Sequence, residues 1–190
     1  MSRQHNREAA SRLLRRLATD SILPAVSELM PDLQQHEIRD LLCLAADIVG
    51  TTPGREIDEA TVHVDGAAIG NPGPAGAGAV ILDDQNRKVA EVCEPLGPTT
   101  NNVAEYRALI LGLLKARELG VRRVHVKADS ELMVKQMTGE YRIKDEKLRA
   151  LSREALEIID SFDSFDIVHV DRSKNTAADR LSKRAAEASH

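Results

Sequence analysis

The spacing of apolar residues changes once along this chain, and that change decides what it can fold into. Before Gly50-Thr51-Thr52-Pro53-Gly54-Arg55 they recur every three or four positions. Ala9, Leu13, Leu14 and Leu17 form one set, Leu23, Val26 and Leu29 a second, and Ile38, Leu41, Leu42, Ala45 and Ile48 a third. This predicts three short helices, with Pro24 and Pro31 near helix starts, where a missing N–H costs little. After the break the pattern turns strand-like over 60–67, 78–82 and 88–96. The Gly/Pro-rich stretch 70–74 separates the first two runs, and Asp83-Asp84-Gln85-Asn86 turns between the second and third. A helix over 102–119 stops at Gly120, and a strand over 123–128 leads to a short helix over 130–137, broken by Gly139. A helix over 145–161, a strand over 165–170 and a helix over 176–188 complete the chain.

The order is therefore βββαβααβα. Short connections make the first three strands an antiparallel meander, and helical crossovers make the later strands parallel to the first. The expected class is α/β, a five-stranded mixed sheet flanked by helices and preceded by a small N-terminal helical segment. Three parts follow: the segment at 1–50, a linker at 51–58 and the main domain at 59–188. The segment is a marginal core alone, so it leans on the main domain or on a second copy.

Hydrophobic residues are 42% of the chain, enough for a core, but aromatics are only 2%, with no Trp. The core must then be Leu, Ile, Val and Ala, and binding by stacking on aromatic rings is largely closed off. A net charge of −4 conceals a pattern: residues 107–149 hold eleven Lys/Arg against six Asp/Glu. Residues 1–19 hold five Arg (Arg3, Arg7, Arg12, Arg15, Arg16) against one Glu. Basic surface beside an acidic pocket suits a metal-dependent enzyme acting on a phosphate polymer, although solvated helix faces explain any single charge equally well. Cys43 and Cys93 sit in apolar contexts and read as reduced core residues, with no zinc spacing around them. No run is apolar enough for a signal core or a membrane span, so a soluble, cytoplasmic protein is expected.

Four acids stand at element ends: Asp65 in Val-Asp-Gly-Ala, Glu105 in Asn-Asn-Val-Ala-Glu-Tyr, Asp129 in Lys-Ala-Asp-Ser-Glu and Asp179 in Asn-Thr-Ala-Ala-Asp-Arg. Helix capping accounts for part of this. Thr100 or Asn101 reads as an N-cap with an acid in the first turns, and Asp129 or Ser130 caps the next helix. Gly66 would let a ligand approach the backbone beside Asp65. Each acid alone has a structural explanation, but four converging carboxylates repel one another, and a divalent cation offsets that best.

Several stretches, in order, resemble type 1 ribonuclease H over about residues 61–186. They are Asp65-Gly66…Gly70-Asn71-Pro72-Gly73, Thr100-Asn101-Asn102-Val103-Ala104-Glu105-Tyr106, Asp129-Ser130-Glu131-Leu132, Gly139-Glu140-Tyr141-Arg142-Ile143-Lys144, and His169-Val170-Asp171-Arg172…Asn175…Ala178-Asp179-Arg180-Leu181. The resemblance is to the compact archaeal-type and bacterial branch without a basic protrusion. It implies a ribonuclease H-like fold and endonucleolytic cleavage of the RNA strand of RNA:DNA hybrids, leaving 5′-phosphate and 3′-hydroxyl ends. It assigns Asp65, Glu105, Asp129 and Asp179 as ligands of two Mg²⁺ or Mn²⁺ ions. It implies Arg172 as the catalytic helper, with His169 second. Gly66, Asn71, Thr100, Asn101, Asn102, Ser130, Glu131 and Lys144 match the substrate-contacting positions, read through the 2′-hydroxyl and groove shape. A related nuclease active also on double-stranded RNA and a non-catalytic hybrid-binding protein are the alternatives. The N-terminal helices are left with two readings, homodimerisation or an extra nucleic-acid contact through their arginines.

Overall fold

The structure, a computed structural model, describes residues 57–189 together with 13, 14, 17, 23–28, 33–38, 41, 42 and 45. The chain divides into two units, Met1–Arg55 and Glu56–His190. In the first, Leu23–Ser27 is helical, as are residues 35–38. The break at Gly50-Arg55, Cys43 and the arginines at 3, 7, 12, 15 and 16 lie outside the described residues.

In the second unit the strands are β1 (Glu59–Ala68), β2 (Gly73–Asp83), β3 (Lys88–Thr99), β4 (Arg123–Ala128) and β5 (Ser164–His169). The helices are α1 (Asn101–Glu118), α2 (Glu131–Met137), α3 (Glu146–Ile159) and α4 (Thr176–Glu187), with a 3₁₀ turn at Arg172–Lys174. The sheet order is β3-β2-β1-β4-β5. Both meander pairings are antiparallel, and β1–β4 and β4–β5 are parallel. The predicted order βββαβααβα is thus realised, and so is the parallel direction of the later strands. One boundary differs substantially. β2 begins at Gly73, not residue 78, because the glycines there are strand residues with a packing role.

Alternation along β1 separates packing from chemistry. Ala60, Val62 and Val64 are buried in the core with Leu109, Ile110 and Leu113 of α1. The opposite face of β1 and β2 receives α4, so Asp65 meets Ser182 of that helix. Both helices approach the sheet through glycine. A Cβ on Gly78 would lie 2.5 Å from the Ala178 carbonyl oxygen and from the Ser182 nitrogen, and one on Gly76 2.3 Å from the Ala186 nitrogen. Neither backbone can yield cheaply.

Capping fixes where the helices start. The Thr100 hydroxyl accepts from the Val103 N–H, and the Asp145 carboxylate accepts from Leu148 N–H at 2.9 Å. Each such cap is worth about 1 kcal/mol. Gly120 follows the end of α1 with φ of 76°, a left-handed conformation that glycine adopts at little cost.

Gly78→Ala and Gly120→Ala should therefore differ in urea unfolding of the full chain. The first should lose about 3 kcal/mol or more by overpacking, and the second about 1–2 kcal/mol from its backbone conformation alone. Equal losses would mean that α4 does not seat on the glycines of β2.

Candidate active site

Because β1 and β4 are parallel neighbours, with Val64 level with Ala128, the residues that follow each emerge side by side. Asp65 and Asp129 are those residues. The N-terminal turns of α1 bring Glu105 to the same place, and the close approach at Gly66 makes this feasible. A Cβ on Gly66 would stand 2.1 Å from the Glu105 nitrogen and 2.2 Å from the Ala104 carbonyl carbon. Here a helix backbone occupies the space that the sequence reading gave to a ligand. A cavity of about 410 Å³ opens there, lined among others by Asp65, Gly66, Asn101, Glu105, Asp129 and Arg172.

The acids are held in unlike environments. Asp65 is only 9% exposed, and burial pushes its carboxyl up to about 7. The Ser182 hydroxyl, which donates to it, pulls the other way, and repulsion from Asp129 and Asp179 adds to the rise. Burial also raises Glu105, opposed by hydrogen bonds from Ser130 Oγ (2.5 Å) and Asn101 Nδ2 (2.9 Å), with Asp129 repelling it. Asp129 accepts from Asn175 Nδ2 at 2.8 Å. Asp179, in the first turn of α4, is the exception. Partial burial would raise it, but Lys183 Nζ at 2.7 Å and the Arg172 guanidinium at 2.5 Å hold it below the usual carboxylate value.

Asp65, Glu105 and Asp129 thus share one pocket without a cation of their own, while Asp179 turns to two side-chain cations. Among the described residues no three His, Cys, Asp or Glu form a ready-made metal cage. The pocket's donors are nevertheless hard carboxylate oxygens, one of them buried and forced to accept a proton near neutrality. That donor set fits a divalent Mg²⁺ or Mn²⁺ ion and not a soft metal.

The remaining expected residues are placed as follows. Asn71 accepts the Asn101 N–H at 3.1 Å, Thr100 caps α1, and Ser130 caps α2 while donating to Glu105. Asn102 and Lys144 line a second hollow of about 500 Å³ with Gln136, Tyr141 and Arg142. Glu131 is exposed and paired with Lys135 at 2.6 Å. Arg172 reaches the cavity, whereas His169 ends β5, exposed and outside the cavity lining. Three residues escaped the sequence reading as site members: Asn175, Ser182 and Lys183. The buried Asn175 and Ser182 act through contacts to Val64, Asp129 and Asp65, all far away in the chain, which local spacing does not signal. Lys183 sits four residues after Asp179, an i,i+4 pairing that helical spacing could have suggested.

Residues 63–185 match the Reverse transcriptase-like family. A bifunctional protein of Mycobacterium tuberculosis is 42% identical over 128 residues, which are 67% of this chain and 35% of that protein. The solved structure of its N-terminal RNase H domain, fused to maltose-binding protein, has a TM-score of 0.66 at 40% identity, covering 67% of this chain and 98% of that one. The crystal structure of RNase H1 from Halobacterium salinarum has a TM-score of 0.67 at 38% identity, covering 68% and 98%. An RNase H1 designated LC11, solved in complex with RNA/DNA hybrid, has a TM-score of 0.65 at 38% identity, covering 68% and 97%. The chain thus spans about a third of the mycobacterial protein and 63% of the curated Halobacterium ribonuclease HI.

The raised Asp65 carboxyl has a pH signature. Its folded value of about 7 lies above the ordinary 3.8, so between these the folded protein keeps a proton that the unfolded chain has released. Its contribution is fully present below pH 4 and is lost as pH rises through 7. Asp179, held low, runs the other way and loses its contribution as pH falls below its folded value. In chelator, wild type should therefore lose on the order of 3 kcal/mol relative to Asp65→Asn between pH 4.5 and 7.5. Urea unfolding at both pH values measures this, and parallel profiles would contradict it.

Proposed function

The chain belongs to the Reverse transcriptase-like family, among its type 1 ribonuclease H members, and from that premise we propose that it hydrolyses the RNA strand of RNA:DNA hybrids. The products are 5′-phosphate and 3′-hydroxyl ends, and the place of action is the cytoplasm. The observation that carries the reading is the buried Asp65 and the half-buried Asp129 that repels it, side by side after two parallel strands, with Glu105 of α1 beside them. A relative at 38% identity solved with RNA/DNA hybrid supports the substrate class. No helix among the described residues is long and apolar enough to cross a membrane.

In this reading Asp65, Glu105, Asp129 and Asp179 hold two Mg²⁺ or Mn²⁺ ions. Bound there, such ions acidify the attacking water and neutralise charge on the phosphoryl group and the departing oxygen. The protein's own residues supply the rest. Ser182 and Asn175 hold the two central carboxylates, and Ser130 and Asn101 hold Glu105. Arg172 and Lys183 keep Asp179 ionised at the cavity rim, and Arg172 has the cationic head to help a phosphate oxygen leave.

Asn71, Asn101, Asn102, Ser130 and Glu131 are the proposed groove contacts, where a 2′-hydroxyl distinguishes RNA from DNA. Thr100 seats a DNA-strand phosphate at the N-terminus of α1, where the helix dipole favours an anion. Lys144 adds charge from the second hollow.

The full chain with Mg²⁺ or Mn²⁺ should cleave a hybrid and leave duplex DNA intact, and Asp129→Asn should reduce the rate by about 10³-fold or more. A panel of hybrid, duplex RNA and duplex DNA tests it. An intact hybrid with either metal would contradict the proposal, and hybrid binding without turnover would favour a non-catalytic binding role.

A further inference from the structure

Asn175 is the N-cap residue of α4, a position where its side chain would ordinarily accept a bond from the helix it begins. It makes no such bond. The side chain is turned inward instead and is 1% exposed. Its Nδ2 donates to the Val64 carbonyl at 2.9 Å and to Asp129 Oδ1 at 2.8 Å, while its Oδ1 meets His63 Nδ1 at 3.2 Å. Its backbone nitrogen donates to the Arg172 carbonyl at 3.0 Å, and its carbonyl accepts from Asp179 N–H at 3.1 Å. One residue thereby joins β1, the carboxylate after β4, the turn bearing Arg172 and the helix bearing Asp179.

The chemistry of these contacts fixes the protons. Val64 O and an ionised Asp129 only accept, so the amide must present its NH₂ to them and its oxygen to His63. An amide oxygen also only accepts, so the His63 nitrogen facing it carries hydrogen. Without that donor nothing on this side of the amide opposes rotation. His63 lies on β1 level with Lys127 of β4 and Val80 of β2. Lys127 is a donor as well, but the partner that the Asn175 amide oxygen has is His63 Nδ1 at 3.2 Å.

We propose that His63 is a positioning residue for Asp129: through the Asn175 amide it holds that carboxylate in the orientation the reaction uses. The role rests on the hydrolytic reading above for its kinetic test but not for its spectroscopic one.

The test uses the full chain with His63→Leu, which removes the donor, and His63→Asn, which puts an amide N–H near the Nδ1 position. On a hybrid, His63→Leu should lower kcat by about ten-fold or more with KM changed less than about two-fold, and His63→Asn should recover to within about three-fold of wild type. In an Asn175→Ala background, His63→Leu should have no further effect. A wild-type kcat in His63→Leu, or equal loss in both His63 variants, would overturn the proposal. Should His63→Leu fail to fold, ¹⁵N NMR of wild type decides. A neutral ring protonated on Nδ1 supports the proposal, and a bare Nδ1 overturns it. A wild-type protein that leaves the hybrid uncut would sink the hydrolytic reading, and the NMR result would still test the arrangement.

Discussion

Helix backbone runs directly against sheet backbone at Gly66, Gly76 and Gly78, and the positions of the acids follow from those contacts. The passage of α1 over Gly66 sets Glu105 beside Asp65. The seating of α4 on Gly76 and Gly78 brings Ser182 onto Asp65 and Asp179 to the rim. A methyl group at any of the three would push a helix outward by more than side-chain adjustment can absorb. The parallel pairing of β1 with β4 supplies the remaining carboxylate, and Asn175 ties it back to β1.

That geometry works against stability in the absence of a cation. Asp65 is buried beside Asp129 with a hydroxyl as its donor, and its carboxyl is pushed up to about 7. A fold selected for stability alone would place an apolar residue or a paired cation there. The two side-chain cations that reach the cavity pair instead with Asp179. A pocket that concentrates negative charge while its basic neighbours stay at the rim suits a bound divalent ion and a phosphate that arrives with it.

The element order and the four acids could be read from the sequence because each acid lies next to a strong local signal: a strand end, a capping hydroxyl or a helix start. The start of β2 could not. Gly73 and Gly76 read as turn residues by composition, whereas both are strand residues, and the lack of a Cβ on Gly76, as on Gly78, serves the approach of a helix distant in sequence. Asn175 was visible only as part of a motif, and its bonds to Val64 and Asp129 reach residues far away in the chain. Ser182 sits on the buried face of an amphipathic helix, where nothing local distinguishes a structural serine from one that holds a carboxylate. The second expected helper, His169, lies beyond the cavity lining, while Arg172 points into it.

The central claim is that the Asp65–Asp129 pair is built for a divalent cation. Thermal unfolding of the full chain at pH 8, in Mn²⁺ against chelator, tests it most directly, because a ligand bound only by the folded state must raise Tm. The account predicts a clear Mn²⁺-dependent rise in wild type that is lost in Asp65→Asn. A wild type indifferent to Mn²⁺, or an equal rise in both proteins, would contradict it.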